Sequence, residues 1–381
     1  MSTVALIRCE SYDYPTVLAA VQRGIDLLGG ANLFANSKET ILLKPNMLSS
    51  DAPEKAATTH PAVFKAVAEV FTVTGAHLTC GDSPAFSSTI TTAEKCGIAQ
   101  AAREAGIELK DFKNGNVKHF PEGLQNKTFT LAQPVLDCDG IISLPKLKTH
   151  GFAKTTGAIK NQFGCIPGLL KGEFHVKLPD VFDFAKMLVD LDRCVNPRLY
   201  IMDGICAMEG NGPRGGTPRN MNVLLFSVDP VALDATVCRM IDVDPMLVPT
   251  IMLGIEAGRG TADLGSITLV GDSVESFAQP SFIVNRAKIE PFKAAGKFRL
   301  LKNLLLPRPV INKKKCIRCG VCVLMCPANP KAVNWHNNDK TKPPVHTYRQ
   351  CIRCYCCQEL CPEKAITIRT PLLRKLFARR T

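Results

Sequence analysis

A cysteine pattern written twice constrains this chain more than any other feature. Cys316-x-x-Cys319-x-x-Cys322-x-x-x-Cys326-Pro327 returns 35 residues later as Cys351-x-x-Cys354-x-x-Cys357-x-x-x-Cys361-Pro362. In a bacterial-type run, three closely spaced thiolates wrap one iron–sulfur cubane and the displaced fourth ligates the other cluster. This rule gives one [4Fe–4S] cluster to Cys316, Cys319, Cys322 and Cys361, and a second to Cys351, Cys354, Cys357 and Cys326. Eight ligands close two clusters without an open iron position. Thiolate zinc uses two CxxC pairs per ion, which leaves the third cysteine and the Cys-Pro step of each copy unexplained. Cys356 is surplus; a register using it in place of Cys357 is conceivable, but only Cys357 preserves the repeat.

A domain of this size, residues 312–369, buries little core, so the clusters themselves are expected to hold it folded. Ile317, Val321, Val323, Leu324, Ile352, Ile366 and Ile368 are expected to pack around them. The remaining cysteines (Cys9, Cys80, Cys96, Cys138, Cys165, Cys194, Cys206, Cys238) are scattered singly, as small buried hydrophobes are. The opening residues lack the basic and apolar regions of a secretion signal, and no run of 18 apolar residues occurs. The expected location is the cytoplasm, where clustered thiols stay reduced and hold metal.

Charge is divided unevenly. From Arg286 onward there are 22 Lys and Arg against four Asp and Glu, and before it 25 against 30. An acidic body with a basic C-terminal part points to an acidic redox partner, with peripheral contact to an anionic membrane as a further use of the same charge. Nucleic acid is not expected, because the basic part carries no recognisable binding motif.

Residues 1–285 alternate short apolar runs with amphipathic stretches, which predicts an α/β body with a mostly parallel sheet. The expected strands are Val4–Ile7, Thr40–Lys44, His77–Cys80, Gly140–Leu144, Leu199–Met202, Val223–Ser227 and Ile267–Val270. Helices are expected over Pro15–Leu28, Pro61–Val73 and Pro230–Ile241; each range opens on proline, which suits a first helical turn. Residues 286–311 read as a basic linker, with Phe298, Leu301, Leu304 and Leu305 as an apolar stripe if part of it is helical. Residues 370–381 read as a basic tail.

The C-terminal cysteine domain closely resembles two-cluster bacterial ferredoxins, small α+β proteins. The body resembles the DUF362 family, frequently fused to ferredoxin domains, through LLKPNM (Leu42 to Met47), TTHPAV (Thr58 to Val63), GDSP (Gly81 to Pro84), LPKLKTH (Leu144 to His150), GAIKNQFG (Gly157 to Gly164), DGICAMEGNGPRGG (Asp203 to Gly216) and SVDPVALD (Ser227 to Asp234). The resemblance supplies no reaction, so the expected chemistry rests on side chains.

Most of these segments begin where an apolar run ends, which suits one cleft beyond the strand ends of a sheet. Lys44, Lys146, Lys148 and Lys160 would gather positive charge there. His60, His150 and His175 are candidate proton carriers, and Asp82, Asp203 and Glu209 candidate counter-ions. Catalysis is assigned to Lys146, Lys148, His150, Lys160 and His60, acting on a small anionic substrate beside an additional, unidentified organic cofactor if one is bound. Gly210 to Gly216 could present backbone amides and Arg214 to a phosphate, or be a mobile surface loop. The resulting expectation is a ferredoxin-fused reductase. The alternative is an electron carrier or adaptor whose body docks a larger oxidoreductase.

Overall fold

A computed structural model describes residues 1–84, 87–168, 170–289 and 306–371. The body is one ten-stranded sheet between two helical layers. Its strands are β1 (Ser2–Arg8), β2 (Thr40–Pro45), β3 (His77–Cys80), β4 (Glu108–Leu109), β7 (Gly140–Leu144), β8 (Lys146–His150), β9 (Lys154–Thr156), β10 (Leu199–Glu209), β11 (Thr217–Ser227) and β12 (Ile267–Gly271). A separate hairpin, β5 (Gly115–His119) and β6 (Thr128–Ala132), lies outside the sheet. The main order is β12-β1-β11-β10-β7-β2-β3-β4, with β8 paired to β10 and β9 to β8.

Neighbours from β10 through β7, β2 and β3 to β4 are parallel, as is the pair β1 and β12. Only β11 runs against both its main-sheet neighbours, β1 and β10. The expected α/β class and mostly parallel sheet are therefore present.

Strand alternation sends side chains to both faces of the sheet. Val4 and Leu6 of β1 enter one apolar layer with the helices Val181–Val195 and Pro230–Met240. Ala5 and Ile7 enter the other with Tyr14–Leu27 and Pro61–Thr72. Both faces are covered, which is why these strands read as continuous apolar runs rather than alternating ones. Two helices of the first layer start on side-chain caps, with Asp180 accepting from Phe182 N at 2.8 Å and Asp229 from Ala232 N at 2.9 Å.

All seven expected strands occur, and two run at least six residues beyond what was read. The Leu199 run continues to Glu209, and its partner begins at Thr217 instead of Val223. These extensions, with β8 and β9, form a platform for the C-terminal unit. The β11 extension, Thr217 to Asn222, is polar and lacks the apolar pattern from which strands are read, and the apolar β10 extension lies beyond Asp203 and Gly204, which interrupt the run.

The C-terminal unit contains β13 (Arg308–Ile311), β14 (Val333–Asn334), β15 (Val345–His346) and β16 (Ile366–Arg369), with short helices Val321–Leu324 and Cys356–Glu359. β13 pairs antiparallel with β16, from Arg308 opposite Arg369 to Ile311 opposite Ile366. The unit thus starts within the segment read as linker, where two prolines and the basic composition conceal a four-residue strand. The stripe Phe298, Leu301, Leu304, Leu305 and most of the tail lie outside the described residues.

Candidate functional site

The cysteine loops keep the sequence repeat in their backbones. Arg318 and Arg353 occupy matching places with φ of 60° and 67°, and Gly320 and Tyr355 match with φ of 78° and 62°. Left-handed turns between the cysteines curl each loop so that its thiols face inward. Cys316, Cys319, Cys322 and Cys361 line one cavity, walled by Ile311, Ile317, Val321 and Ile366. The charges of Cys351, Cys354 and Cys326 all bear on the buried Cys357 thiol, which burial raises well above its ordinary pKa.

The donor set fits iron–sulfur chemistry. No group of three or more His, Cys, Asp or Glu among the described residues is drawn tightly enough to hold a single metal ion. The fourth cysteine of each run also accepts a backbone hydrogen bond: Ala332 N to Cys326 Sγ and Ala365 N to Cys361 Sγ, both at 3.3 Å. Such donors stabilise sulfur-borne negative charge and tune potential.

The two halves differ at His346. Its Nε2 lies 3.5 Å from Cys357 Sγ, and its ring stacks on Tyr348 at 5.7 Å. A thiolate sulfur can only accept, so Nε2–H is the donor. With the clusters in place, His346→Leu should lower one reduction potential by about 40 mV, the one-electron equivalent of about 1 kcal/mol. A redox titration followed by electron paramagnetic resonance checks this, and two unmoved potentials would refute it.

The C-terminal unit sits on the body through the helix Cys356–Glu359. Gln358 Nε2 donates to Asn211 O and Oδ1 at 3.0 Å and to Gly212 O at 3.1 Å. Arg214, which the sequence offered to a phosphate, pairs with Asp51 through both Nε (2.5 Å) and Nη2 (3.1 Å). Its Nη1 donates to Leu360 O at 3.0 Å, and Lys364 Nζ donates to Gly216 O at 2.6 Å. The Gly210 to Gly216 loop is therefore a docking clamp rather than an open phosphate loop or a mobile one. On β8's side, Gly151 allows the close approach: an added Cβ would meet Ile368 Cδ1 at 2.4 Å.

Glu359 crosses this junction. Its Oε1 lies 3.0 Å from Nε2 of the buried His150. His150 Nδ1 accepts from Phe152 N and Ala153 N, both at 3.0 Å, which places the neutral ring's proton on Nε2, the ring atom close to the carboxylate. Burial alone would raise the Glu359 pKa, but His150, Lys160 and His175 overcome it and hold the carboxyl at about 2. Burial and the Lys160 charge lower His150.

Beside this contact is a cavity of about 360 Å³ shared by both parts of the chain. The body contributes Asn46, Asp82, Lys160, Asn161, Lys171 and His175; the C-terminal unit contributes Met325, Cys326, Pro327, Cys356 and Glu359. A thiol of the second cysteine set thus borders the same space as two lysines and a histidine. Lys171 is fully engaged, donating to Ser83 Oγ, Ser83 O and Ile166 O, and burial pushes its pKa to about 7. Lys160 has no hydrogen-bond acceptor among the described residues; its ammonium lies 5.7 Å from the Phe163 ring centroid. Burial lowers its pKa, opposed by Glu359 and the Cys356 thiol. His175 stacks on Phe184 at 4.5 Å, and its buried Nδ1 has no partner among the described residues. Burial takes the His175 pKa to about 4.

The other candidates form closed networks, the first of which reaches the cavity through Asp82. Lys44 Nζ meets Asp82 Oδ1 at 2.8 Å, and Asp82 Oδ2 accepts from Met47 N at 2.7 Å. Gly164 leaves room for Asp82, because a Cβ there would sit 1.8 Å from Oδ1. Lys146 Nζ donates to Asp203 Oδ2 and to Tyr12 OH, both at 2.7 Å; Tyr12 OH donates to Asp203 Oδ1 at 2.9 Å. His60 belongs to this second network. Its ring stacks on Tyr12 at 3.6 Å, its backbone N–H donates to Asp203 Oδ2, and its Nδ1 caps the helix that begins at Pro61. Burial moves its pKa to about 4.

Lys148 Nζ donates to Asn46 Oδ1 at 2.8 Å and to Ala57 O; burial, then Lys160 and Lys146, drive its pKa well down. Glu209 accepts from Ile283 N at 2.9 Å. The structure therefore brings His150 and Lys160 to the junction, together with His175, and seats Lys146 and His60 in a separate cluster. Lys148 touches the cavity through Asn46.

Lys171, Glu359 and the cavity-lining Cys356 carried no sequence signal as site residues. Of the eight scattered cysteines, six are buried, and Cys138 and Cys206 half-buried; burial raises all eight thiols.

Residues 41–239, the strands and loops that hold these lysines, match the domain of unknown function DUF362. The chain belongs to the DUF362 family. Residues 308–362 match a 4Fe-4S dicluster domain, so this DUF362 protein carries a ferredoxin-type iron–sulfur domain, and the match begins at β13. The chain is 35% identical over 251 residues, 66% of its own length and 78% of the relative's, to the thylakoid-associated protein sll1697 of Synechocystis sp. (strain ATCC 27184 / PCC 6803 / Kazusa). A distant structural likeness joins it to the lactate racemase apoprotein of Thermoanaerobacterium thermosaccharolyticum, with a TM-score of 0.41 and 12% identity. That likeness covers 63% of this chain and 57% of the racemase, so this chain spans little more than half of it. No helix among the described residues is long and apolar enough to cross a membrane.

Proposed function

We propose that this DUF362 protein is an iron–sulfur oxidoreductase that reduces or oxidises a small anionic substrate in the cavity between its two parts. One observation carries this reading: the cavity is lined both by Lys160, whose ammonium has no hydrogen-bond acceptor among the described residues, and by Cys326 of the cysteine domain. Two [4Fe–4S] clusters on the eight predicted thiolates would pass electrons singly to that wall.

The body's residues do the rest. Lys160 binds the anionic group, and the low polarity around it strengthens the attraction. Asn46 and Asn161 are joined by a 3.0 Å hydrogen bond and orient the ligand from the floor. His175, which lines the same space, is the candidate proton acceptor, while His150, whose Nε2 lies 3.0 Å from Glu359 Oε1, holds a proton at the domain junction. A carrier whose body only docks a larger enzyme has no use for a cation-lined cavity at this junction, so the cavity favours an enzyme. The relative named as thylakoid-associated and the basic composition of 286–311 and 370–381 support peripheral contact with a membrane, with the catalytic body in the cytoplasm.

Calorimetric titration of the anaerobic holoprotein with inorganic phosphate and with oxalate tests the site. At least one should bind with Kd below about 1 mM, and Lys160→Met should weaken it by about 10- to 100-fold while the visible iron–sulfur absorption stays unchanged. Absence of binding, or equal binding by Lys160→Met, would sink the proposal.

A further inference from the structure

The two cysteine sets face different surroundings. Cys351, Cys354 and Cys357 of the second set are buried, and Cys326 of that set lines the cavity against the body. Cys319 of the first set is exposed, and beside it Ile317 leaves 57% of its surface in solvent. An electron arriving from outside meets the first set before the second.

The rim of that exposed edge is cationic. Lys313, Lys314, Lys315 and Arg318 are all exposed. Arg318 Nη1 donates to Thr341 O at 3.1 Å, which draws the exposed Lys340 and Lys342 alongside, and Pro344 of the same segment lines the cavity of the first set. Among the described residues of the C-terminal unit, the carboxylates by this edge are Asp339, paired with Lys342 at 3.2 Å, and Glu363. The arrangement is an apolar centre ringed by cations around an exposed cluster ligand.

We infer that this edge is the docking surface for an acidic redox protein that exchanges electrons with the first cysteine set. Charge complementarity steers the encounter, and Ile317 supplies the apolar contact that brings the partner's cofactor near Cys319. Each encounter moves one electron: the partner is oxidised by one, the iron–sulfur domain is reduced by one, and no covalent bond changes. A lipid headgroup would satisfy the same lysines but offers nothing to an exposed cluster ligand, which favours a protein. The inference stands independently of whether the inner cavity binds an anion.

An acidic flavodoxin serves as the probe for the holoprotein. Oxidised flavodoxin, which moves no electron, should bind in calorimetric titration at 50 mM NaCl and weaken at least tenfold by 300 mM. Lys313→Glu with Lys314→Glu, and separately Lys340→Glu with Lys342→Glu, should each weaken binding at least fivefold with iron content unchanged. Lys95→Glu with Lys113→Glu, on the body, should leave it unaltered. Reduction of the clusters by flavodoxin hydroquinone should follow the same order. No binding at low salt, indifference to both patch variants, or equal loss from the body variant overturns the inference. So does salt-sensitive binding to phosphatidylglycerol vesicles without flavodoxin binding, which would make the edge a membrane face.

Discussion

Lys146→Met should lower the unfolding free energy by about 3 kcal/mol, because it leaves the Asp203 carboxylate buried without its cation. Lys146 and Asp203 are 1% and 0% exposed, and their 2.7 Å contact is sealed by Tyr12 and His60. Two charges brought together in such a place gain little over a well-packed apolar pair, but one charge stranded there is expensive. Tyr12 OH, the His60 N–H and the Ile205 N–H still reach Asp203, which sets the expectation at the lower end of the range for broken buried pairs. Adding Asp203→Asn to Lys146→Met should recover a substantial part of the loss, since no charge then remains. Urea unfolding followed by circular dichroism reads both variants. A change below 1 kcal/mol for Lys146→Met would show that the network is not structural and would return Lys146 to the catalytic candidates.

That prediction marks where sequence and structure part. Apolar runs disclosed the strands, and prolines at helix starts disclosed Pro61–Thr72 and Pro230–Met240, because both signals are local. The cysteine spacing disclosed the iron–sulfur domain for the same reason: three ligands of each set lie within seven residues. Which lysines share a space is different. Lys146 and Lys148 are two residues apart on β8, yet one closes a network with Asp203 while the other reaches Asn46. A strand sends alternate residues to one face, but it does not say what waits there.

The junction was harder still. His150 and Glu359 meet across 209 residues of sequence, and Glu359 lies inside a cysteine run where iron ligands command attention. Glycine-rich chain invites a phosphate reading, since exposed amides bind anions. In Gly210 to Gly216 the carbonyls are instead taken by Gln358 and Lys364, and Arg214 by Asp51. Partners supplied by a second folding unit are invisible to any local rule.

The largest expected effect concerns the second unit and its iron. Removing iron from the intact chain should unfold residues 308–371 and leave the body folded. The unit's main apolar cluster has only Cys322, Val333, Cys357 and Ile366 as buried members, and two of these are expected cluster ligands. A smaller cluster of Ala328, Ala332 and Cys351 adds little. Burying such side chains contributes a few kcal/mol, whereas ordering about 60 residues costs on the order of 1–2 kcal/mol each. The β13–β16 pair is four residues long and cannot close that gap. Metal–thiolate bonds must, so ligand binding and folding are one event.

Unfolding would also release Gln358, Glu359 and Lys364 from the body and strip Lys160 of its nearby carboxylate. Hydrogen exchange should therefore become fast throughout 308–371 after anaerobic chelation. In the body it should accelerate at Thr149 to Lys154 and at Gly210 to Gly216, while β1, β2 and β7 remain protected. Slow exchange persisting in β13 and β16 without iron would mean that these thiols do not hold the fold together, and the assignment of eight structural ligands would fail with it.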